Sequence, residues 1–402
     1  MRRQHGQTLV LVALLSTVLI GFVGLVIDGG EVAAQQQLVQ SAADGAALAG
    51  VYQVGQPGAT TASATTLAQA VIANLGLPSG DLALSFLDAG GAATTTPAAV
   101  AVVRAVVTDS QSTYFLKVVG IGSARATGRA SASPRRAPCA LCVLGLANTT
   151  VDQVQNSTVD VSGGGAIIDS RGTANLSLGD SATFTAPSVT IAGGSYVLGP
   201  QASISPVPSV GPAAPDPFPL LSAPSVAGAA RAYSSPGSGS GSLAPGVYSS
   251  ITVNGSYSLR LSPGIFVLTG PLVIAGGDLT ASGVLLYLGC ASYPVGCAAP
   301  TASCGRVDTS GGPAVLSAPT TGPYARLAIF ADRRCTGANP LGDQTVVTGT
   351  AYLPAMAVAV QDNSNVTFNG ALILGTLSVG DSAGLAVSYV ATQNYVSLGL
   401  SL

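Results

Sequence analysis

Ionisable side chains are scarce in this sequence. Of 402 residues, 8% are charged, and Lys117, Glu31 and His5 are the only lysine, glutamate and histidine. An ordinary soluble domain has about 25% charged residues, so this is not the composition of a cytosolic enzyme. Because His5 precedes every segment that could fold outside a membrane, a Ser-His-Asp triad or a histidine-ligated zinc site in the main body is excluded. The net charge of -2 offers phosphates no basic surface, so nucleic acid is not an expected partner.

Cysteine is also rare, but its number is even. In an exported chain six cysteines fit up to three disulfides, whereas a zinc site would need paired CxxC motifs and the sequence has one. We expect a disulfide within the CxxC motif and two more among the remaining four residues, and we assign no catalytic, cofactor-binding or metal-ligating residue. The six cysteines are Cys139, Cys142, Cys290, Cys297, Cys304 and Cys335.

One long uncharged stretch lies near the N-terminus. Residues 8–27 carry no formal charge, and twenty helical residues rise about 30 Å, the thickness of the hydrocarbon core of a bilayer. Arg2 and Arg3 precede the stretch, whereas Asp28 and Glu31 follow it. By the positive-inside rule the N-terminus is expected in the cytoplasm and the bulk of the chain outside it, in the periplasm or at the cell surface.

The length of this stretch favours a permanent anchor over a cleaved signal. Signal peptides have an apolar region of about 7 to 15 residues that ends at a small-x-small site, whereas residues 8–27 are longer and are followed by Asp-Gly-Gly. Helical spacing continues in EVAAQQQLVQSAADGAALAG, residues 31–50, so residues 1–55 are predicted to form an anchor and a stem helix. The small-residue face of the stem can pack on its own domain or on other copies.

These two segments carry a family resemblance. The anchor ending in Ile-Asp-Gly-Gly at Asp28, followed by SAADGAALAG around Asp44, resembles the N-terminal segment of Tad (tight adherence) Flp pilus-assembly proteins of the TadE/TadG-like type. Pilins cut by prepilin peptidase are cleaved after a glycine and carry Glu five residues later, but the fifth residue after Gly6 is Leu11. The resemblance therefore implies an anchored accessory role, with other pilus-assembly proteins as partners, and it leaves cleavage after Gly6 open.

A small α+β domain is predicted for residues 56–135. TLAQAVIANLGL, residues 66–77, indicates a short helix, and LALSFLDA, AAVAVVRAVVT and ARATGRASAS indicate three strands. Between the last two strands, STYFLKVVGIGS resembles the aromatic segment of the same family. We expect a pilin-like unit in which a small antiparallel sheet packs on the extended helix.

Residues 139–402 have a different sequence pattern, in which short apolar runs are separated by Gly, Asn, Ser and Asp. Such strands are too short to bury both faces alone, so they indicate stacked coils, most simply a right-handed parallel β-helix. Low charge suits stacking, because like charges on successive turns would repel. Residues 200–245 hold ten of the 25 prolines and predict a partly mobile Pro/Gly/Ser-rich insertion. LSPGIFVLTGPLVI and YARLAIFADRR extend the resemblance to Tad-like proteins.

Parallel β-helices also occur in polysaccharide lyases and hydrolases, which need converging carboxylates. The only plausible cluster is Asp332, Arg333, Arg334, Asp343 and Asp362, and a ladder of aspartates capping turns is the commoner explanation of that pattern. We therefore expect a non-enzymatic, membrane-anchored envelope protein of Tad/Flp pilus assembly. Its partners are the bilayer through residues 8–27 and other pilus-assembly proteins. The alternatives are an adhesin or polysaccharide-binding protein that meets cell-wall polymer or a host surface, and an anchored lyase or hydrolase.

Overall fold

The computed structural model describes residues 5–55, 59–135, 139–145, 151–153, 155–169, 176–193, 195–219, 221–390, 394 and 397–401. The chain divides into two compact units, one formed by residues 1–134 with 398–402 and the other by residues 135–397. They correspond to an α+β unit and an all-β unit.

The first unit is built on one long helix. Helix α1, His5–Val54, runs without interruption from the apolar stretch into the stem and continues through Gly29 and Gly30. Helix α2, Thr61–Asn74, packs beside it. It begins at Thr61 rather than at residue 66, because the Thr60 side chain accepts the N–H of Ser63 and the Ser63 side chain returns the bond, which is a capping box.

An antiparallel sheet completes this unit. Its strands are β1 (Leu82–Leu87), β2 (Val102–Ser112) and β3 (Ser123–Arg135), and β2 lies between the other two. The last strand of the chain, Ser397–Ser401, joins the same sheet next to β3, so these residues, expected in the β-helix, lie in the α+β unit. The sheet buries one face against α1 and α2, and this confirms the predicted α+β arrangement.

The second unit is a parallel β-solenoid of about 11 turns, which confirms the predicted parallel β-helix. Its two sheets are formed by short strands that pair in parallel with strands of neighbouring turns. The strands before residue 211 are β4 Leu141–Val143, β5 Val151–Gln153, β6 Thr158–Ser162, β7 Ala166–Asp169, β8 Leu176–Leu178, β9 Thr183–Thr185, β10 Val189–Ala192, β11 Tyr196–Leu198, β12 Ser203–Ser205 and β13 Ser209–Val210.

The strands after residue 230 complete the stack. They are β14 Arg231–Ser234, β15 Ser238–Leu243, β16 Gly246–Asn254, β17 Ser256–Leu261, β18 Gly264–Leu268, β19 Pro271–Ala275, β20 Asp278–Ser282, β21 Val284–Leu288, β22 Arg306–Gly311, β23 Ala314–Ser317, β24 Leu327–Ala331, β25 Ala338–Leu341, β26 Thr345–Thr348, β27 Thr350–Val360, β28 Asn365–Asn369, β29 Leu372–Val379 and β30 Gly384–Ser388.

Alternating side chains fill the solenoid. In β17, for example, Tyr257, Leu259 and Leu261 are buried while the residues between them are exposed, and the same positions of neighbouring turns continue the core. Glycine is required at tight corners: Gly255 has a φ of +60°, and an added Cβ would lie 2.1 Å from the carbonyl oxygen of Gly237 on the adjacent turn.

The turns do not stack in chain order. The turn β4–β6, which comes first in the sequence, pairs with β29 and β30, which come last. From this joint the earlier turns extend to β12 and β13 at one end of the stack, whereas the later turns extend to β14 and β15 at the other end. The chain therefore enters the solenoid in its interior, leaves at one end and re-enters at the opposite end.

A connection along the outside of the solenoid makes this order feasible. Residues 211–219 and 221–230, here called the strap, join β13 to β14. Ten steps of about 4.8 Å separate the two ends of the stack, and twenty extended residues reach roughly 66 Å, so the strap is long enough. The segment 200–245, predicted as an insertion, thus contributes strands at both of its ends and the strap between them.

Aromatic side chains hold the strap against one sheet. Phe218 is fully buried and its ring lies edge-on to that of Tyr352, with the centroids 5.4 Å apart. Further along, the Tyr293 hydroxyl donates to the Pro224 carbonyl and accepts the Val226 N–H, both at 2.7 Å. These contacts form a second hydrophobic cluster outside the solenoid core.

Candidate functional site

The anchor half of α1 exposes its apolar side chains. Leu11, Leu19, Phe22 and Val26 are among the large hydrophobic residues that remain open to the surroundings, and α1 is long and apolar enough to cross a membrane. An exposed apolar surface of this extent is unfavourable in water and is the normal surface of a helix in lipid. The predicted span, residues 8–27, lies within this helix.

Asp28, the first acidic residue after the span, is almost completely buried. Its carboxylate accepts backbone N–H groups of Tyr114 at 3.0 Å, Phe115 at 2.9 Å and Leu116 at 2.6 Å. These donors lie in residues 113–122, here called the junction loop, which connects β2 to β3 and contains a short 3₁₀ helix, Leu116–Val119. The conspicuous Asp of the Ile-Asp-Gly-Gly motif therefore fixes the loop to the end of the anchor.

Gly24 forms a second contact with the junction loop. A Cβ placed on Gly24 would lie 2.5 Å from the Phe115 ring, so the ring occupies the space that any other residue would fill. Gly24 precedes Asp28 by one helical turn, about 6 Å along the axis. The two contacts together hold the loop along the last turn of the predicted span.

The small-residue face of the stem is covered by the α+β unit itself. The sequence left two occupants open, and the structure shows the chain's own α2 and sheet in that place, including Ala68, Ile72 and Val103. Another copy could reach these positions only by displacing the core. The fully buried stem residues are Val39, Ala42, Ala43, Ala46, Ala47 and Val51.

Two glutamines bind the stem to the edge of β3. The Gln36 amide donates to the carbonyl of Thr127 and accepts its N–H, and Gln40 does the same with Arg129. Four helical residues rise about 6 Å and two strand residues about 6.7 Å, so the spacings match. Gln40 also donates to the motif residue Asp44 at 3.0 Å. These contacts were not predicted from the sequence, although the i, i+4 spacing of Gln36 and Gln40 was a signal that could have indicated them.

The structure separates the carboxylates considered for an enzyme. Asp343 accepts the N–H of Asn365, and Asp362 accepts the N–H of Asp381, at turns that stack on successive rungs. The pKa of Asp343 is lowered, chiefly by the hydrogen bond from Asn365. These two residues therefore cap turns, as the commoner explanation of the pattern predicted.

Asp332, Arg333 and Arg334 lie at another corner, after β24. Asp332 accepts the backbone N–H of Arg334 at 2.9 Å, and the Arg334 guanidinium donates to the Cys297 and Ala298 carbonyls. The three residues line one side of a cavity of about 690 Å³ between the strap and residues 289–305, the segment that joins β21 to β22. Asp343 and Asp362 do not line it, so the predicted cluster is not brought together.

Arg333 supports the strap. It forms an ion pair with Asp216 at 3.3 Å and donates to the Phe218 and Leu221 carbonyls, while both Asp216 oxygens accept the Tyr352 hydroxyl at 2.7 and 2.8 Å. Burial raises the pKa of Tyr352 above its usual value, and the neighbouring Asp216 carboxylate adds to that shift. The phenol therefore remains a hydrogen-bond donor. Asp216, Arg333 and Tyr352 together hold the strap in place.

All six cysteines are paired. The disulfides are Cys139–Cys142, Cys290–Cys297 and Cys304–Cys335, in agreement with the predicted CxxC bridge and the two bonds among the other four. The last two disulfides lie against each other, since the Cys297 sulfur is 3.8 Å from that of Cys335. Cys304–Cys335 cross-links the segment after β21 to the turn after β24, whereas Cys290–Cys297 closes a loop within that segment.

Residues 6–69 match the model of the Tad family, described as Flp pilus-assembly TadE/G-like. The match covers most of α1 and the start of α2, and it confirms the family resemblance of the anchor and the stem. Comparisons with curated proteins and with solved structures found no match. The likeness of the C-terminal segments to Tad-like proteins lies outside the matched residues and stays a prediction.

Proposed function

We propose that this protein, which begins with a TadE/G-like Flp pilus-assembly domain, is a non-enzymatic, single-pass membrane protein that supports pilus assembly from outside the cytoplasm. The observation that carries the proposal is what the family match contains. The matched residues, 6–69, lie within the α+β unit and comprise both the exposed anchor half of α1 and the stem that this unit buries.

Charge and cysteine chemistry support the orientation. Arg2 and Arg3 precede the span, and Asp28 and Glu31 follow it, so the positive-inside rule keeps the N-terminus in the cytoplasm. All six cysteines lie after the span and form disulfides, which persist in oxidising compartments such as the periplasm or the cell surface.

The solenoid is proposed as a binding scaffold. The aspartates considered for hydrolysis cap turns or line the cavity beside the strap, and Arg333 and Arg334 bind backbone carbonyls. Since the stem face is occupied by the chain's own core, contacts with other pilus-assembly proteins are assigned to the anchor surface and to the outer faces of the two units.

Deletion of the gene, followed by complementation, tests this function. Loss of pili that is restored by the full chain, but not by residues 31–402 exported with a cleavable signal, is the expected result. Normal piliation with lost surface attachment would favour an adhesin or polysaccharide-binding protein instead. Reducing-sugar release that is abolished by Asp332→Ala would favour the lyase or hydrolase alternative. Mass spectrometry of the mature N-terminus determines whether cleavage after Gly6 occurs.

A further inference from the structure

We propose that the junction loop, residues 113–122, inserts its apolar side chains into the outer surface of the lipid bilayer beside the anchor helix. The inference rests on the proposed function, because it requires residues 8–27 to span the membrane. It adds a second lipid contact to the anchor and assigns a ligand, the lipid interface, to a loop that does not belong to the span.

The position of the loop along α1 is the first argument. Its backbone is bound to Asp28, which directly follows the span, and the Phe115 ring lies against Gly24, one turn inside the span. If the hydrocarbon ends near residue 27, a side chain in contact with Gly24 is at the depth of the outer acyl chains and headgroups. The loop cannot avoid the interface while these contacts hold.

The side chains that the loop exposes suit that environment. Tyr114 is 66% exposed, Ile121 49% and Phe115 42%, although all three are large hydrophobic residues. Tyrosine is enriched at membrane interfaces, where its ring contacts acyl chains and its hydroxyl contacts water. Lys117, the only lysine of the chain, is also exposed in this loop, and a lysine at this depth can extend its ammonium group to lipid phosphates.

The backbone of the loop is prepared for a medium with little water. Three N–H groups bind Asp28, those of Gly120 and Ile121 bind carbonyls inside the loop, and Thr113 pairs with the Gly122 carbonyl. Irregular backbone near lipid is unfavourable unless its polar groups are satisfied internally. The same bonds explain why a buried carboxylate is tolerated beside the span.

Continuity with the anchor identifies lipid as the occupant of this apolar surface. On α1, Val23, Val26 and Ile27 are exposed at the same height as Gly24 and Asp28. A protein neighbour would have to cover both the loop and this part of the helix. The bilayer that surrounds a spanning helix covers both without any further partner.

Fluorescence quenching tests the proposal, because the chain contains no tryptophan. The full-length Tyr114→Trp variant is reconstituted in phosphatidylcholine and phosphatidylglycerol vesicles whose acyl chains are brominated close to the headgroup. We expect strong quenching by the brominated lipid and little quenching by aqueous iodide. Ile121→Trp, at a second exposed position of the loop, should behave in the same way.

Two further variants separate the possible outcomes. Phe22→Trp reports the anchor itself and should be quenched by lipid, and Tyr52→Trp, about 36 Å beyond Asp28 on the stem, should be quenched by iodide alone. If Phe22→Trp is quenched by lipid but both loop variants respond only to iodide, the loop faces water and the proposal is overturned while the anchor stands. Loop tryptophans protected from both quenchers, as by a protein neighbour, also overturn it. An unquenched Phe22→Trp variant would overturn the anchor and the proposed function with it.

Discussion

The hydroxyl groups of Ser162 and Ser388 are hydrogen-bonded at 3.1 Å, although the residues are 226 positions apart in the chain. They lie at the ends of β6 and β30, which pair in parallel along their whole length. The turns that come first and last in the sequence are therefore neighbours in the stack, and each covers the sheet edge of the other. Separation of the two halves of the domain would uncover one side of each of these turns and expose core residues there.

Cleavage of the strap should leave the solenoid assembled. We expect that a protease site inserted between Gly228 and Ala229, an exposed stretch, yields two fragments that stay together in detergent solution. β4, β5 and β6 remain paired with β29 and β30, and Ser397–Ser401 remains in the sheet next to β3. Size-exclusion chromatography followed by denaturing gel electrophoresis checks this expectation.

The disulfides make that experiment unambiguous. Cys139–Cys142 lies in one fragment, and the other two disulfides lie in the other, so no covalent bond joins them after cleavage. A matched control with the site inserted only between Gly80 and Asp81 cuts the chain outside the solenoid and should leave the solenoid in a single fragment. Separation of the two solenoid fragments under native conditions would contradict the stacking order.

The strap should contribute measurably to stability through the Tyr352 hydroxyl. Tyr352→Phe removes the donor to both Asp216 oxygens and leaves the ring contact with Phe218 intact. A hydrogen bond to a charged group contributes about 1.5 to 3 kcal/mol, and the partial exposure of the Asp216 side chain places the expected loss at the lower end of this range. Thermal unfolding followed by circular dichroism should therefore show a lower midpoint, whereas Tyr196→Phe, an exposed tyrosine of β11, should unfold like the wild type. Equal midpoints for the two variants would count against a stabilising role of the strap.

The turn ladder should make the solenoid sensitive to acid. Because the Asn365 N–H lowers the pKa of Asp343 below its ordinary 3.8, the folded state binds the proton less tightly than the unfolded state. This contribution to stability is present above the unfolded pKa and is lost as the pH falls through the folded pKa. Asp343→Asn should be less stable than the wild type near neutral pH, and its midpoint should fall less between about pH 6 and pH 3.

A second aspartate serves as the control for this pH dependence. Asp152→Asn changes an exposed position in the middle of β5 and carries the same change of charge. The fall of its unfolding midpoint between about pH 6 and pH 3 should be close to that of the wild type. Identical behaviour of the Asp343 and Asp152 variants would show that general charge, rather than the turn, sets the acid response.

Sequence periodicity was sufficient to predict the fold class of each unit, but it could not predict the order in which the turns of the solenoid stack. Alternation in segments such as residues 256–261 reports which side chains point inward, and this is a property of each strand alone. Which turn covers another depends on pairings between residues as distant as Leu141 and Leu372, and many apolar strands would satisfy them equally well. The strap was interpreted as an insertion for the same reason, because its prolines report extended backbone and not what Phe218 contacts.

In the candidate site, too, local features could be predicted from the sequence, whereas contacts between distant residues could not. The anchor follows from twenty uncharged residues, since the bilayer imposes a length that can be read locally. The role of Asp28 could not be read locally, because its three donors lie about 86 to 88 positions away in the chain. The spacing of Asp343 and Asp362 could not show whether their side chains converge, because the position of each corner depends on how the turns of the solenoid stack.

Asp28 should control the order of the junction loop. Asp28→Ala removes the acceptor of three N–H groups in a place with little water, and each unsatisfied donor is unfavourable by about 1 to 3 kcal/mol. We expect the loop to detach from the helix while the stem, held by Gln36, Gln40 and the alanine core, stays folded. Hydrogen exchange measured by mass spectrometry should rise in residues 113–122 and stay unchanged in residues 61–74.

The conservative variant distinguishes loss of the acceptor from general damage. Asp28→Asn keeps the shape of the side chain and one acceptor oxygen, so its loop should exchange at a rate between those of the wild type and Asp28→Ala. Glu31→Gln, one turn outward on the same helix, removes a charge without touching the three N–H groups and should leave the loop protected. If Asp28→Ala left exchange in the loop unchanged, Asp28 could not be what fixes the junction loop to the end of the anchor, and the depth of the loop in the membrane would need another cause.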